Sequence, residues 1–195
     1  MKVLSKYLIV IFVSFTGLTL AFEQIISYRV GQVQAQNIQN QDLPVPVALP
    51  TLVDVYLKGG ESKTGRVTAI DLRSQKLTIQ RDGSSPTSEP INKIEKVRFR
   101  QDAPVYNSNG KLVIRGDSQG LTAKKPEIWS GILLTDFKLQ DPRKGQGFVK
   151  LGSVFNRKRL QGIRSVAGTC LYVAEELKFE PSTKMTFQVR ATCER

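Results

Sequence analysis

Val53-Asp54-Val55-Tyr56-Leu57-Lys58-Gly59-Gly60 alternates in character and then breaks on two glycines. Val53, Val55 and Leu57 fall on one parity, and Asp54, Tyr56 and Lys58 on the other. A period of two puts alternate residues on one face, which predicts a half-buried strand. Two glycines in a row tolerate positive φ, so a hairpin is expected there. The next strand runs through Gly65, Val67, Ala69 and Ile70, and a glycine inside it marks a tight bend or bulge. Leu77 and Ile79 alternate in a third strand, and Asp82-Gly83-Ser84-Ser85-Pro86 is a polar loop. Ile91, Ile94, Val97 and Phe99 predict a turn of helix or a short last strand. Short, bent strands over residues 53–100 are the parts of a small β-barrel.

Two segments resemble a known family. Val55-x-Leu57-Lys58-x-Gly60, Gly65-x-Val67 and Asp71 are similar to the first motif of the Sm and Sm-like proteins. Val113-Ile114-Arg115-Gly116-Asp117 is similar to their second motif, whose core is Ile-Arg-Gly. The resemblance implies a five-stranded, SH3-like barrel that assembles into rings and binds RNA. It places the family's functional positions on Asp71, Arg115 and Gly116. The family's Asn position carries Gln75 here.

Upstream of the barrel, residues 36–52 are polar and then Pro-spaced at Pro44, Pro46 and Pro50. Fixed φ at each proline favours an extended linker. A first strand over Val45 to Leu49 is the competing reading. Further upstream, Lys2 and Lys6 precede an apolar run from Leu8 to Phe22. A basic start before a short apolar run predicts a cleavable signal peptide over 1–35. Cleavage after Ala35 is expected, with Ala21 as the competitor, and the mature protein would then be secreted or periplasmic. The run is shorter than the ~20 residues that a spanning helix needs.

Downstream, residues 107–195 read as a second, antiparallel β module. Asn107-Ser108-Asn109-Gly110 is a turn cluster before a strand over Lys111 to Arg115. In Glu127 to Gln140, Trp129, Leu133, Phe137 and Leu139 share one parity, and Ile128, Ile132 and Leu134 the other. Apolar groups on both faces predict a central strand, with a helix as the alternative. Asp141 to Gly145 turns the chain, and Phe148 to Phe155 returns it as a long hairpin.

The last hairpin, Cys170 to Phe179 against Met185 to Cys193, allows a register argument. Near its turn, Phe179 opposes Met185 and Leu177 opposes Phe187, with apolar groups on one face. The alternation breaks at Glu175-Glu176; beyond it Ala174, Tyr172 and Cys170 carry the apolar parity, opposite Val189, Ala191 and Cys193. One extra residue reconciles the halves, so a β-bulge is expected at Glu175-Glu176. The same register sets Cys170 against Cys193 and predicts a disulfide, in keeping with an oxidising compartment.

The whole chain has 195 residues, 29 Lys and Arg, 17 Asp and Glu, and a net charge of +12. Residues 1–35 hold only Lys2, Lys6, Arg29 and Glu23, so the basic surplus belongs to the folded part. No His is present, which excludes His triads, His general bases and His metal sites. Two Cys cannot complete a four-ligand zinc site, and no nucleotide-loop, elbow or kinase motif occurs. No cofactor or metal is expected. Between Pro142 and Ala174 stand Arg143, Lys144, Lys150, Arg157, Lys158, Arg159 and Arg164, without one acid. Such a run attracts phosphate, sulfate or carboxylate surfaces; a merely solvated face is the competing reading. The expected function is therefore a non-enzymatic binding or assembly protein of the cell envelope. Its partner would be an anionic surface: membrane headgroups, acidic polysaccharide or an acidic protein. Nucleic acid, through the Sm-like motifs, is the second candidate partner, and a secreted enzyme is the third reading.

Overall fold

The computed structural model describes residues 43–115, 120–181 and 183–194. The leader, the start of the 36–52 stretch, Gly116, Asp117 and Ser182 lie outside the described residues. From Leu43 onward the chain is one compact unit.

The chain is mostly β. It opens with β1 (Val45–Ala48), β2 (Val53–Leu57), β3 (Ser62–Asp71), β4 (Lys76–Gln80) and β5 (Thr87–Pro90). A 3₁₀ turn at Ile91–Lys93 leads into β6 (Ile94–Phe99). Three short strands follow, β7 (Val105–Tyr106), β8 (Leu112–Ile114) and β9 (Leu121–Ala123). Then come β10 (Glu127–Leu133), a 3₁₀ turn at Leu134–Asp136, β11 (Phe137–Asp141) and β12 (Gln146–Val149). Helix α1 (Arg157–Thr169) precedes the long hairpin of β13 (Leu171–Glu180) and β14 (Lys184–Glu194).

The large, curled sheet runs β11-β12-β1-β13-β6-β2-β3-β4-β5, with β14 pairing β13, β10 and β9. β7 and β8 form a small sheet of their own. β13 is the hub. One edge pairs with β14 from Leu171 to Glu180. Its other edge pairs with β1, in parallel, at Tyr172 and Val173, and then with β6 at Glu176 and Leu177. Through that exchange, residues 53–100 and 107–195 share one core, in which Val53, Leu77 and Val97 cluster with Trp129, Leu177 and Phe187.

Local chemistry accounts for several of these elements. Gly60, at φ +87°, turns β2 into β3. Gly65 sits where β3 leaves β2 and takes up β4. A Cβ there would lie 3.0 Å from the Gln80 carbonyl oxygen, so the bend needs glycine. In the last hairpin, Phe179 faces Met185, Leu177 faces Phe187 and Tyr172 faces Ala191. The register slips once, between Ala174 and Glu176, at the expected bulge.

Three elements differ from the sequence expectation. Within the supposed linker, Val45, Val47, Ala48 and Leu49 are buried, and Val45–Ala48 is a strand between β12 and β13. Pro46 is tolerated because pairing with β13 begins only at Val47. The stretch 127–140 is not one strand buried on both faces. Gly131, at φ +74°, lies within a bulge that lets Trp129 and Ile132 both point inward and leaves Ile128 exposed. The 3₁₀ turn then sends β11 to a different partner, β12. The third difference is α1, a helix that occupies the middle of the basic stretch. Its signal is Leu160 and Ile163, with Val166 and Ala167 beside the core, at helical spacing. Asn156 is its N-cap, accepting from the Arg159 amide at 3.0 Å.

Candidate functional site

The basic stretch divides over the fold. β12 pairs with β1 from Val149 opposite Val45 to Gln146 opposite Ala48. Arg143 and Lys144 stand at the second end, in a turn where the Asp141 carboxylate accepts from both their amides. Lys150 follows Val149 at the first end. There Arg164 on α1 donates through Nη2 to the Leu43 carbonyl at 2.8 Å. Thus Lys150 and Arg164 lie about the start of β1, at the opposite end of β12 from Arg143 and Lys144.

At the first turn of α1, Arg157 and Lys158 are exposed and form no ion pair among the described residues. Arg159 is committed: its Nη2 lies 2.7 Å from Glu127 Oε2, and its guanidinium 5.9 Å from the Phe155 ring centre. Three bases and no acid in a first turn oppose the helix dipole. The arrangement is adverse for the helix and favourable for an external anion.

Beneath this group lies Tyr172, 1% exposed, edge-on to Trp129 with ring centres 4.9 Å apart. Trp129 Nε1 donates to Glu127 Oε2 at 3.3 Å. The Tyr172 hydroxyl has no hydrogen-bond partner among the described residues. Burial first, and then the Glu127 carboxylate, push its pKa up to about 12, with Arg159 opposing. A phenol that titrates near 12 when folded and near 10 when unfolded is protonated in both states below pH 10 and makes stability independent of pH there. As pH rises from 10 toward 12 the unfolded chain ionises first, and stability falls by on the order of 2–3 kcal/mol. Tyr172→Phe is therefore expected to be neutral or stabilising at pH 7 and to flatten stability between pH 10 and 12. Urea melts across that range test it; an unchanged alkaline slope would reject the assignment.

Of the Sm-like positions, Asp71 ends β3 and caps the turn to β4. It accepts from Ser74 Oγ at 2.6 Å and from the amides of Arg73 and Ser74. The Ser74 hydroxyl, more than the amides, holds its carboxyl below the usual range. Gln75, at φ +52°, occupies the left-handed position of that turn, a conformation that suits Asn better than Gln. Arg115 is exposed and follows β8 of the small sheet, whereas Asp71 belongs to the large one. Cys170 and Cys193 are joined, with an S–S distance of 2.02 Å. The bond ties the C-cap of α1 to β14.

A cleft on the outer face of β13 has no linear motif to mark it. Between Val173, the last partner of β1, and Glu176, the first partner of β6, Ala174 and Glu175 have neither neighbour. The β7–β8 hairpin packs over this face through Val105 and Ile114, against Val173 and Ala48. One half of the cleft holds about 370 Å³ and includes Pro50, Val105, Ile114 and Val173. The other holds about 470 Å³ and includes Arg98, Arg100, Asp102 and Glu176. Phe99, Gln101 and Glu175 line both. Among the described residues, no three His, Cys, Asp or Glu come together as a metal site.

In comparison with known proteins, no protein-family model, curated protein or solved structure matches this chain.

Proposed function

We propose that this is an exported, non-enzymatic binding or assembly protein of the cell envelope. Its small SH3/Sm-like barrel serves as scaffold, and its basic group contacts an anionic surface. The observation that carries the reading is the start of α1. Arg157 and Lys158 stand exposed and unneutralised in a first turn without acids, and Lys150 is exposed after β12. Clustered, unpaired cations of this kind attract polyanions and weaken their hold steeply as salt rises.

The scaffold part is supported by the strand order β6-β2-β3-β4-β5, with a 3₁₀ turn between β5 and β6. Five strands with the last returning to the first resemble the barrel of the Sm-like family. The export part is supported by the apolar run at Leu8 to Phe22 and by the disulfide, a bond that persists in oxidising compartments.

Retention on heparin and on anionic vesicles across a salt series is the test. Changing Lys150, Arg157 and Lys158 together to Gln is expected to lower affinity about tenfold or more at low salt and to flatten the salt dependence. Unchanged retention would end the reading. Tighter binding of single-stranded RNA than of heparin, lost with Asp71→Ala, would favour the nucleic-acid alternative.

A further inference from the structure

We propose that the cleft over β13 binds a small amphiphile with one carboxylate head and an aliphatic tail. Its two halves have the size of ligand pockets, which commonly span about 300–1,000 Å³. They differ in chemistry. The half under the β7–β8 hairpin offers Pro50, Val105, Ile114 and Val173 as an apolar bed for a chain of methylenes, bordered by the Glu175–Arg190 ion pair.

In the other half, every carboxylate already has its own cation. Asp102 pairs with Arg100 at 2.7 Å, and Glu176 with Lys178 at 3.1 Å. Glu175 takes Arg190 and the Gln188 amide. Arg98 is different. It is exposed and makes no ion pair or hydrogen bond among the described residues. Asp54 and Glu176 stand opposite it across β2 and β13, yet neither pairs with it. The cleft therefore presents one spare guanidinium beside an apolar bed. A single anionic head satisfies that guanidinium by a charge-assisted contact. A polyanion would meet Asp102, Glu175 and Glu176 and be repelled. A neutral chain would leave Arg98 unused. This site is independent of the basic group at α1, which it does not include.

The test uses the chain from residue 36 onward, whose folded unit carries its own core. Dodecanoate below its micellar concentration is titrated by calorimetry, with dodecanol as the neutral control. Saturable, one-site binding of dodecanoate is expected. Arg98→Gln, at an exposed position, is expected to weaken dodecanoate about tenfold and to leave dodecanol unchanged. Ala123 lines the apolar half from an exposed place on β9. Ala123→Trp fills that half and is expected to abolish both. No saturable binding, or binding indifferent to both substitutions, would overturn the proposal. So would an Arg98→Gln protein that loses dodecanol as much as dodecanoate.

Discussion

Replacing Gly145 by alanine is expected to destabilise this fold severely. Gly145 turns β11 into β12 at φ +62°, and its Cβ would lie 1.9 Å from the Leu49 carbonyl oxygen. The obstruction is backbone, so no side-chain rotation relieves it. The Leu49 amide also donates to the Gly145 carbonyl at 2.6 Å. Relief therefore requires the end of β1 to move, and β1 is held on both edges with Val45 and Val47 buried. Left-handed backbone in a non-glycine residue and overpacking together amount to on the order of 4 kcal/mol or more. The melting temperature should fall by on the order of 10 °C. Gly83→Ala is the matched control. Gly83 has φ +74°, but nothing lies within 4 Å of its Cβ position. It should lose only about 1–2 kcal/mol. Equal losses in the two variants would show that the Leu49 contact is not the cause.

Removing the Cys170–Cys193 bond should lower stability by about 3 kcal/mol, because the cross-link spans 23 positions. Cys170→Ser with Cys193→Ser is the variant to melt in urea. Its midpoint should fall and its m-value should rise, since the unfolded chain is freed to expand. Local effects accompany the global one. Cys170 closes α1 through its amide to the Val166 carbonyl, and Cys193 pairs with Thr122 on β9. Amide exchange should quicken first in β9 and in the last turn of α1. Thiol titration of the unreduced, denatured wild type should find none free among these two. A double variant as stable as wild type would remove the cross-link from the stability argument.

What the sequence revealed, and what it hid, follows from how local each signal is. The last hairpin was legible down to its bulge. Its pairs are close in sequence, and the parity change at Glu175-Glu176 is a local mark. Gly60 and Gly65 were legible for the same reason, since each answers a backbone need within its own strand. β1 was hidden because its partners, β12 and β13, are about a hundred residues away. Its prolines suggest an extended tether more strongly than its valines suggest burial. Helix α1 was hidden because Gly162 and Gly168 dilute the pattern and three bases draw attention to charge. The buried set at Leu160 and Ile163, behind an Asn cap, was the available clue. Among the candidate site residues, the bases were plain in the sequence, but their division between the two ends of β12 was not. The cleft left no linear trace at all, for it arises where β13 changes partners and a distant hairpin packs alongside.

That change of partners constrains how the polypeptide can be made. A nascent chain halted before Leu171 has no β13, so β1 lacks one neighbour and β6 another. Both would emerge with open hydrogen-bonding edges, which invite pairing with other chains. Assembly of the body must then wait for the final residues to leave the ribosome, and pairings of such long sequence separation close slowly. Chains truncated at the C-terminus before Leu171 should accordingly collect as aggregates or be degraded.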